Sequence, residues 1–282
     1  MSIHVHWYLP TNGDSRDIVG AGDRSPSTLP AIGDFRAPTV DYLGQVARSA
    51  EQLGYEAVLT PTGTWCEDAW VFTAALSQVT SRLKFLVAFR PGFISPTLAA
   101  HQAATFQRVS GGRLLLNIVT GGDPVEQRRF GDHLGHDQRY QRTEEFLAVM
   151  RGVSGALRPF SFSGEHYQIE NADIGFGCYA LPPIFFGGAS PAAERAAARQ
   201  ADVYLAWGEP PALIAERLAR MRELAAEEGR ALAFGIRLHV LSRDTSAAAW
   251  AEADRLLMRI TQSASARCRS HSPGPSPSAS SG

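Results

Sequence analysis

The stretch Phe234-Gly235-Ile236-Arg237-Leu238-His239-Val240 is the one around which the rest of the chain is interpreted. Its residues alternate at period two, which predicts a β-strand. Apolar side chains occupy one face of this strand, and Arg237 and His239 share the other face with a glycine. Because a charged arginine is seldom buried without a partner, we expect an anionic or strongly polar group to face it. A surface-facing pair on an edge strand is the alternative, and the rest of the sequence argues against it.

Length and composition bound the class of protein. A chain of 282 residues that is 44% hydrophobic and 20% charged can bury the core of one large α/β domain. The net charge of −1 and the pI near 6.7 indicate no polyanionic partner, so nucleic acid is not expected. The sequence contains no apolar run of membrane-spanning length and no secretory signal, and we expect a cytoplasmic protein without a membrane partner. Cys66, Cys178 and Cys268 are too few and too scattered for a disulfide framework or a cysteine zinc site.

Strand and helix patterns alternate along the whole chain. Apolar, branched runs predict strands at Val5–Leu9, Ala57–Thr60, Leu83–Phe89, Arg113–Val119, Ile184–Phe186, Val203–Ala206 and residues 234–240. Helical spacing predicts helices at residues 43–53, from Cys66 onward, and at 98–109, 139–150, 192–200, 212–228 and 246–260. A small hairpin is expected at Phe160–Ile169, and a long Gly-, Pro- and Ser-rich loop runs from Asp14 to about Thr39.

This alternation favours a (β/α)₈ barrel of the TIM type, with seven strands evident and the eighth missing. An open doubly wound sheet would carry a G-x-G-x-x-G turn after its first strand, and the sequence has none there. Seven parallel strands would leave two unpaired edges. We therefore expect an incomplete barrel domain at residues 1–262, followed by a disordered low-complexity tail at residues 263–282.

Polar side chains follow most of the expected strands. Sites in such barrels lie at the carboxyl ends of the strands, so these residues should converge on one mouth. They are Asn12, Cys66, Arg90, Asn117, Thr120, Ser190, Trp207, Arg237 and His239.

Gly187-Gly188-Ala189-Ser190 follows a strand and precedes a helix that begins near Pro191. Small residues at such a point let backbone N–H groups and a helix N-terminus hold a phosphate, and Ser190 adds a hydroxyl donor. A plain tight turn is the alternative interpretation.

Two further residues at the expected mouth allow two interpretations each. Cys66 is expected to open a helix, where the helix dipole would favour a reactive thiolate, but the acidic Glu67 and Asp68 in the first turn oppose this. A buried, unreactive thiol is equally consistent with the sequence. Trp207 precedes Gly-Glu-Pro and is either an aromatic wall of the site or a packing residue.

Two hydrolase alternatives can be considered. A His-x-His on the first strand, here His4 and His6, is typical of metal-dependent amide hydrolases. The pair precedes the carboxyl end of its strand, and no carboxylate-bearing strand end supplies further ligands. A Cys66–His239 nucleophilic hydrolase lacks an evident orienting Asn or Asp. Both alternatives are weaker than the interpretation that follows, and no metal is expected.

Several blocks between Ile3 and about Met258 together resemble the FMNH₂-dependent alkanesulfonate monooxygenases of the bacterial luciferase-like superfamily. The blocks are WYLPT at 7–11, PTG at 61–63, CEDAW at 66–70, FLVAFRP at 85–91, NIVTG at 117–121, WGEPP at 207–211 and FGIRLHV at 234–240. The match of several blocks is far more specific than any single motif.

The resemblance implies a two-component system, in which a separate NAD(P)H-dependent flavin reductase delivers reduced FMN. The flavin reacts with O₂, and a small organosulfur substrate, an alkanesulfonate, is converted to an aldehyde and sulfite. The family's catalytic positions match Arg237, His239 and Cys66, and Trp207 and Arg237 match substrate-binding positions. The flavin-contacting positions match Asn117, His136, Tyr140, Gly188 and Ser190. The complete family member is expected to be a homo-oligomer.

Two departures from the family are evident. Asn12 stands where the family commonly has a histidine, which leaves the sulfonate preference open. The family also continues well beyond the end of this chain, through a last strand and a lid loop. An inactive fragment that at most binds flavin is therefore a further alternative.

Overall fold

The computed structural model describes residues 3–15, 35–155, 159–175 and 180–270, with side chains up to residue 258. The described strands are β1 His6–Tyr8, β2 Ala57–Thr60, β3 Lys84–Phe89, β4 Leu114–Ile118, β5 Phe160–Ser163, β6 Gln168–Ala172, β7 Ile184–Gly187, β8 Val203–Trp207 and β9 Ala233–Arg237. The described helices are α1 Val40–Gln52, α2 Ala69–Leu76, α3 Pro96–Ser110, α4 Pro124–Arg129, α5 His136–Gly155, α6 Pro191–Gln200, α7 Pro211–Glu227 and α8 Ser246–Ser270. No helix among these is long and apolar enough to cross a membrane.

Seven strands form one sheet in the order β1-β2-β3-β4-β7-β8-β9, and every neighbouring pair is parallel. β5 and β6 form a separate antiparallel hairpin, as the sequence predicts near Phe160–Ile169. The first six sheet strands begin and end within one residue of their predicted bounds. This agreement follows from their largely apolar composition, and the central strands β2, β3 and β4 are buried on both faces.

The sheet curls so that side chains of distant strands meet on its inner face. The ring of His6 on β1 lies 5.8 Å from that of Phe185 on β7, although three strands separate β1 from β7 in the sheet. The Arg237 guanidinium on the last strand lies 5.5 Å from the ring of Tyr8 on the first. A flat sheet would keep these strands far apart. The expected TIM-barrel type of fold, with seven strands, is confirmed.

The core lies mainly between the outer face of the sheet and the surrounding helices. Phe85, Val87 and Leu116 of the central strands are fully buried there. A smaller cluster fills the inner face, with Leu86 and Leu115 at its centre. Side-chain caps define where the helices begin, and they come from Thr39, Asp68, Ser95, Asp123 and Ser190.

The last strand differs from the prediction. β9 ends at Arg237 instead of Val240, because β8 offers partners only as far as the pair Trp207–Arg237. The apolar face, expected to be buried, is exposed: Ile236 is 48% exposed and Val240 is 72% exposed. Phe234, at the start of this face, is half-buried against the core, whereas no described helix packs closely over its far end. β1 and β9 are the two open edges of the described sheet, which confirms the expectation of two unpaired edges.

Several helix boundaries also differ from the prediction, and α1 begins at Val40 rather than Leu43. α5 begins at His136 rather than Arg139, and α2 begins at Ala69, after its cap Asp68, rather than at Cys66. α8 continues past the predicted end at Ile260 to Ser270, so its backbone includes the first part of the predicted tail. The remainder of that tail, residues 271–282, and residues 16–34 of the long loop lie outside the described residues.

Candidate functional site

An aromatic–arginine cluster, defined as Tyr8, Trp207 and Arg237, lies at the carboxyl ends of β1, β8 and β9. Trp207 and Arg237 are direct neighbours in the β8–β9 register, which places the guanidinium 4.8 Å from the indole ring. The same guanidinium lies 5.5 Å from the Tyr8 ring. At such distances the negative faces of the two rings attract the guanidinium and hold it in place.

The charge of Arg237 has no acidic partner in the described part of the chain. Its donors are therefore available to an anion, which is the group that the strand pattern predicts opposite it. Burial raises the pKa of the Tyr8 hydroxyl to about 12, and the Arg237 charge opposes this rise. Tyr8 is thus a neutral hydrogen-bond donor near neutral pH. Trp207 is 54% exposed, so its ring is not a core packing residue.

His239 is not brought into this cluster. It lies beyond the end of β9 and is exposed, because the strand on which it was expected stops at Arg237. Asn117 lies on β4, paired in register with Ala88 on one side and Phe185 on the other. It shares the inner face of the sheet with Leu115, two residues earlier, and its side chain is half-buried.

The cysteine turn, defined as residues 61–66, carries Cys66 to the same end of the barrel. Its thiol lies 3.6 Å from the Gly63 carbonyl oxygen. Because α2 begins only at Ala69, Cys66 lies outside the helix and Glu67 and Asp68 are not in its first turn. Burial raises the pKa of the Cys66 thiol to about 11, and the nearby Glu126 carboxylate adds to the rise. The thiol is therefore neutral at neutral pH, which contradicts the reactive-thiolate interpretation.

A buried ion pair lies beside the cysteine turn. The Arg90 Nη2 donates to Glu126 Oε2 at 2.6 Å, and the two side chains are 5% and 10% exposed. Arg90 follows β3, as the sequence predicts, but the role of Glu126 is not evident from the sequence. Glu126 belongs to the first turn of α4, far from Arg90 along the chain, and no local pattern signals the pairing.

The glycine turn, defined as residues 187–190, joins the last residue of β7 to the start of α6, as predicted. Gly188 has a φ of 152°, and a Cβ there would lie 2.6 Å from the Ala193 Cβ and 3.3 Å from the Tyr140 hydroxyl oxygen. A residue with a Cβ would clash with Ala193 at this position, so only glycine fits here. The Ser190 hydroxyl caps α6 by accepting from the Ala193 N–H at 3.2 Å.

Tyr140 and His136 complete the polar surroundings of the glycine turn. Their rings lie 4.9 Å apart on the first turns of α5. Burial raises the pKa of Tyr140, and the neighbouring Ser190 hydroxyl opposes the rise. The Tyr204 hydroxyl on β8 donates to the Gly188 carbonyl oxygen at 2.6 Å and restrains the turn. The structure therefore brings together His136, Tyr140, Gly188 and Ser190, four of the residues expected to contact a cofactor.

The two histidines of the metal-hydrolase alternative are not arranged as ligands. His4 pairs with Glu56, and His6 packs against Phe185 inside the barrel. Across the described ranges, no three His, Cys, Asp or Glu side chains lie close enough together to hold a metal ion. The arrangement of these donors therefore gives no support to metal-dependent hydrolysis.

A curled parallel sheet with an arginine, an aromatic wall and a glycine turn at one end is typical of the (β/α)-barrel enzymes that bind small molecules at that end. The family follows from comparison of the sequence with known families. A luciferase-like monooxygenase model matches residues 4–278, so the chain belongs to this family.

Solved structures share the fold at low sequence identity. The EDTA monooxygenase from Chelativorans sp. BNC1 is 20% identical with a TM-score of 0.74, and the match covers 91% of this chain and 65% of that protein. The long-chain alkane monooxygenase is 18% identical with a TM-score of 0.72, and the match covers 87% of this chain and 66% of that protein. The oxygenating constituent of 3,6-diketocamphane monooxygenase from Pseudomonas putida, solved in complex with FMN, is 17% identical with a TM-score of 0.64. The match covers 87% of this chain and 69% of that protein. The chain thus spans about two thirds of the length of these proteins.

Proposed function

We propose that this protein is a flavin-dependent monooxygenase that uses reduced FMN and O₂ to convert an alkanesulfonate to an aldehyde and sulfite. The observation that carries the proposal is the aromatic–arginine cluster. It holds a guanidinium between two rings at the barrel mouth, without an acidic partner among the described residues. A planar fork of donors matches the oxygens of a sulfonate better than a point charge does.

The residues of the glycine turn fit FMN. Gly188 leaves space where a Cβ would meet Tyr140 and Ala193, so the backbone can approach a phosphate closely. The N-terminus of α6 and the hydroxyls of Ser190 and Tyr140 offer donors around that space. The FMN complex of the 3,6-diketocamphane enzyme, which shares this fold, supports the choice of flavin.

Reduced FMN, when bound, would supply the electrons with which O₂ is activated. The protein's own residues would bind and orient the substrate. Arg237 would bind the sulfonate, and the rings of Trp207 and Tyr8 would limit the access of water to that ion pair. The neutral Cys66 thiol and Tyr8 hydroxyl can each donate a hydrogen bond to a developing negative charge. His239 is exposed beyond β9 and would remain accessible to solvent beside this arrangement.

The same proposal includes the partners. A separate NAD(P)H-dependent flavin reductase would deliver the reduced FMN, which places both components in the cytoplasm, and the complete protein would be a homo-oligomer. The fold neighbours named for EDTA and for long-chain alkanes define two other substrate classes with which the alkanesulfonates can be compared. An anion is favoured over an alkane because only an anion uses the charge of Arg237, and an alkanesulfonate is chosen among anions because of the family resemblance in the sequence.

The test supplies reduced FMN and O₂ and measures sulfite released from a series of alkanesulfonates, with matched long-chain alkanes as the alternative substrate. We expect Arg237→Ala to lower kcat/KM about 100-fold or more and Arg237→Lys to restore only part of it. Arg222 is the matched control, since its guanidinium also lies 4.8 Å from an aromatic ring, that of Phe234. Arg222→Ala should leave sulfite release unchanged.

Three results would contradict the proposal. Equal losses in Arg237→Ala and Arg222→Ala would remove the anion-binding role. Oxidation of the alkanes without sulfite release would replace the substrate class. FMN binding without any substrate oxidation would favour the inactive flavin-binding fragment.

A further inference from the structure

The Arg90–Glu126 ion pair contacts the cysteine turn from both sides. Arg90 Nη2 donates to the Thr62 carbonyl oxygen at 3.2 Å, and Glu126 Oε1 accepts from the Thr64 N–H at 2.9 Å. The turn between these two contacts contains Gly63, whose carbonyl oxygen lies 3.6 Å from the Cys66 thiol. One ion pair therefore restrains the backbone that positions this thiol.

The pair is costly to bury and has little freedom to rearrange. Both side chains are nine-tenths or more buried, and burying two charges is repaid only by good mutual geometry. The Arg90 Nε and Nη1 groups are buried without a hydrogen-bond partner in the described part of the chain. The guanidinium instead lies 5.7 Å and 5.8 Å from the rings of Phe93 and Phe130, which stack on each other. Glu126 is therefore the one carboxylate that balances the charge of Arg90 among the described residues.

We propose that Arg90 and Glu126 are positioning residues, which hold the cysteine turn so that the Cys66 thiol faces the barrel mouth beside the aromatic–arginine cluster. One backbone hydrogen bond and one electrostatic interaction support this placement. The Glu67 N–H, next to Cys66, donates to the Thr11 carbonyl oxygen at 2.9 Å, which joins the turn to the segment after β1. Tyr8 of the cluster lies close enough to Cys66 for the thiolate charge to affect its hydroxyl. The inference deepens the proposed function, because it places a neutral thiol donor where the substrate would bind.

The charges of the pair also act on the thiol. Glu126 opposes ionisation of Cys66, and Arg90 favours it, so the two effects partly cancel while both charges are present. Removing only the carboxylate charge leaves an uncompensated guanidinium near the thiol and favours the thiolate. A purely structural role for the pair would not produce this shift.

The test measures the alkylation of Cys66 by iodoacetamide as a function of pH, in flavin-free protein that also carries Cys178→Ser and Cys268→Ser. Glu126→Gln keeps the size of the side chain and the acceptor for Thr64 but removes the charge. We expect it to lower the apparent pKa of the thiol and to raise the alkylation rate at pH 8 on the order of tenfold.

The matched control is Glu194→Gln. Glu194 is also buried, at 5% exposure, and its carboxylate pairs with an arginine, Arg220, at 2.8 Å. It lies at α6, on a different element from the cysteine turn. We expect its substitution to leave the Cys66 pH profile unchanged, and an equal shift in both variants would overturn the inference.

A second variant, Arg90→Lys, tests the positioning role while the positive charge is retained. Arg90→Lys keeps the charge but cannot reach Thr62 and Glu126 with one planar group. We expect it to increase Cys66 alkylation at every pH tested without moving the apparent pKa to the extent that Glu126→Gln does, while circular dichroism reports whether the fold is kept. No increase in Arg90→Lys would also overturn the inference. Because this assay needs neither flavin nor sulfonate, a failure of the proposed function would leave its outcome unaffected.

Discussion

The centre of the sheet and its open edge both contain an isoleucine on the outer face, but in very different surroundings. β4 is paired on both sides, and Ile118 at its end is 1% exposed. β9 is paired with β8 alone, and Ile236 is 48% exposed. Both strands are apolar, so composition does not account for the difference. The burial of a strand depends on which other segments pack against it, and the strand's own residues do not specify these segments.

The candidate site includes residues from both kinds of surroundings, next to the doubly paired strand β7 and on the edge strand β9. The glycine turn lies between β7 and α6, next to helix residues such as Ala193 that are fully buried. Arg237 lies at the end of the edge strand β9. The part of the site expected to bind flavin therefore has a rigid support, whereas the part expected to bind the anion depends on the contacts of Arg237 with two rings.

The largest expected effect compares two isoleucines. Ile118→Ala removes a buried side chain between sheet and helices, and we expect it to lower the free energy of unfolding by about 2–5 kcal/mol. Ile236→Ala, at the open edge, should lower it by less than about 1 kcal/mol. Urea denaturation of both variants measures the two values. Equal losses would show that β9 is covered in solution, and the comparison between centre and edge would fail.

The second prediction concerns the supported part of the site. Ser190→Asp keeps a helix-capping side chain but adds a negative charge to the glycine turn, so FMN binding should weaken about tenfold or more. Riboflavin, which lacks the phosphate, should be affected less. Ser95→Asp is the matched control, because Ser95 also caps a helix that begins with proline, α3. Titrations followed by flavin fluorescence measure all these affinities, and equal losses for the two flavins would place the phosphate elsewhere.

The smallest effect tests whether the two open edges meet. A double-mutant cycle with Tyr8→Leu and Arg237→Met should give a coupling energy of about 0.5–1 kcal/mol from urea denaturation. The cycle of Phe234→Leu with Arg222→Met, whose groups lie 4.8 Å apart on the outer face, provides the reference. A coupling near zero for the first pair, with the reference pair intact, would mean that β1 and β9 do not approach each other in solution.

The positions of many residues of the candidate site could be predicted from the sequence because they depend on local features. The glycine turn needs only small residues between a strand and a helix, and Trp207 and Arg237 need only their places at strand ends. Glu126 and Tyr8 could not be found in this way, since their roles come from contacts with Arg90 and Arg237 that are distant along the chain. The thiol of Cys66 required its burial to be known before its protonation could be assigned.

The sequence by itself determined the alternation of strands and helices, the parallel sheet and the order of polar residues at the strand ends. Periodicity, turn chemistry and capping act over a few residues, and these features depend on nothing else. Only the tertiary structure decided where β9 stops, that its apolar face is open and that His239 lies outside the cluster. It also decided that Arg90 is paired with the Glu126 carboxylate and that Arg237 is available to an anion. These outcomes depend on which segments meet in space, because pairing, burial and electrostatic balance are properties of neighbours and not of one stretch of chain.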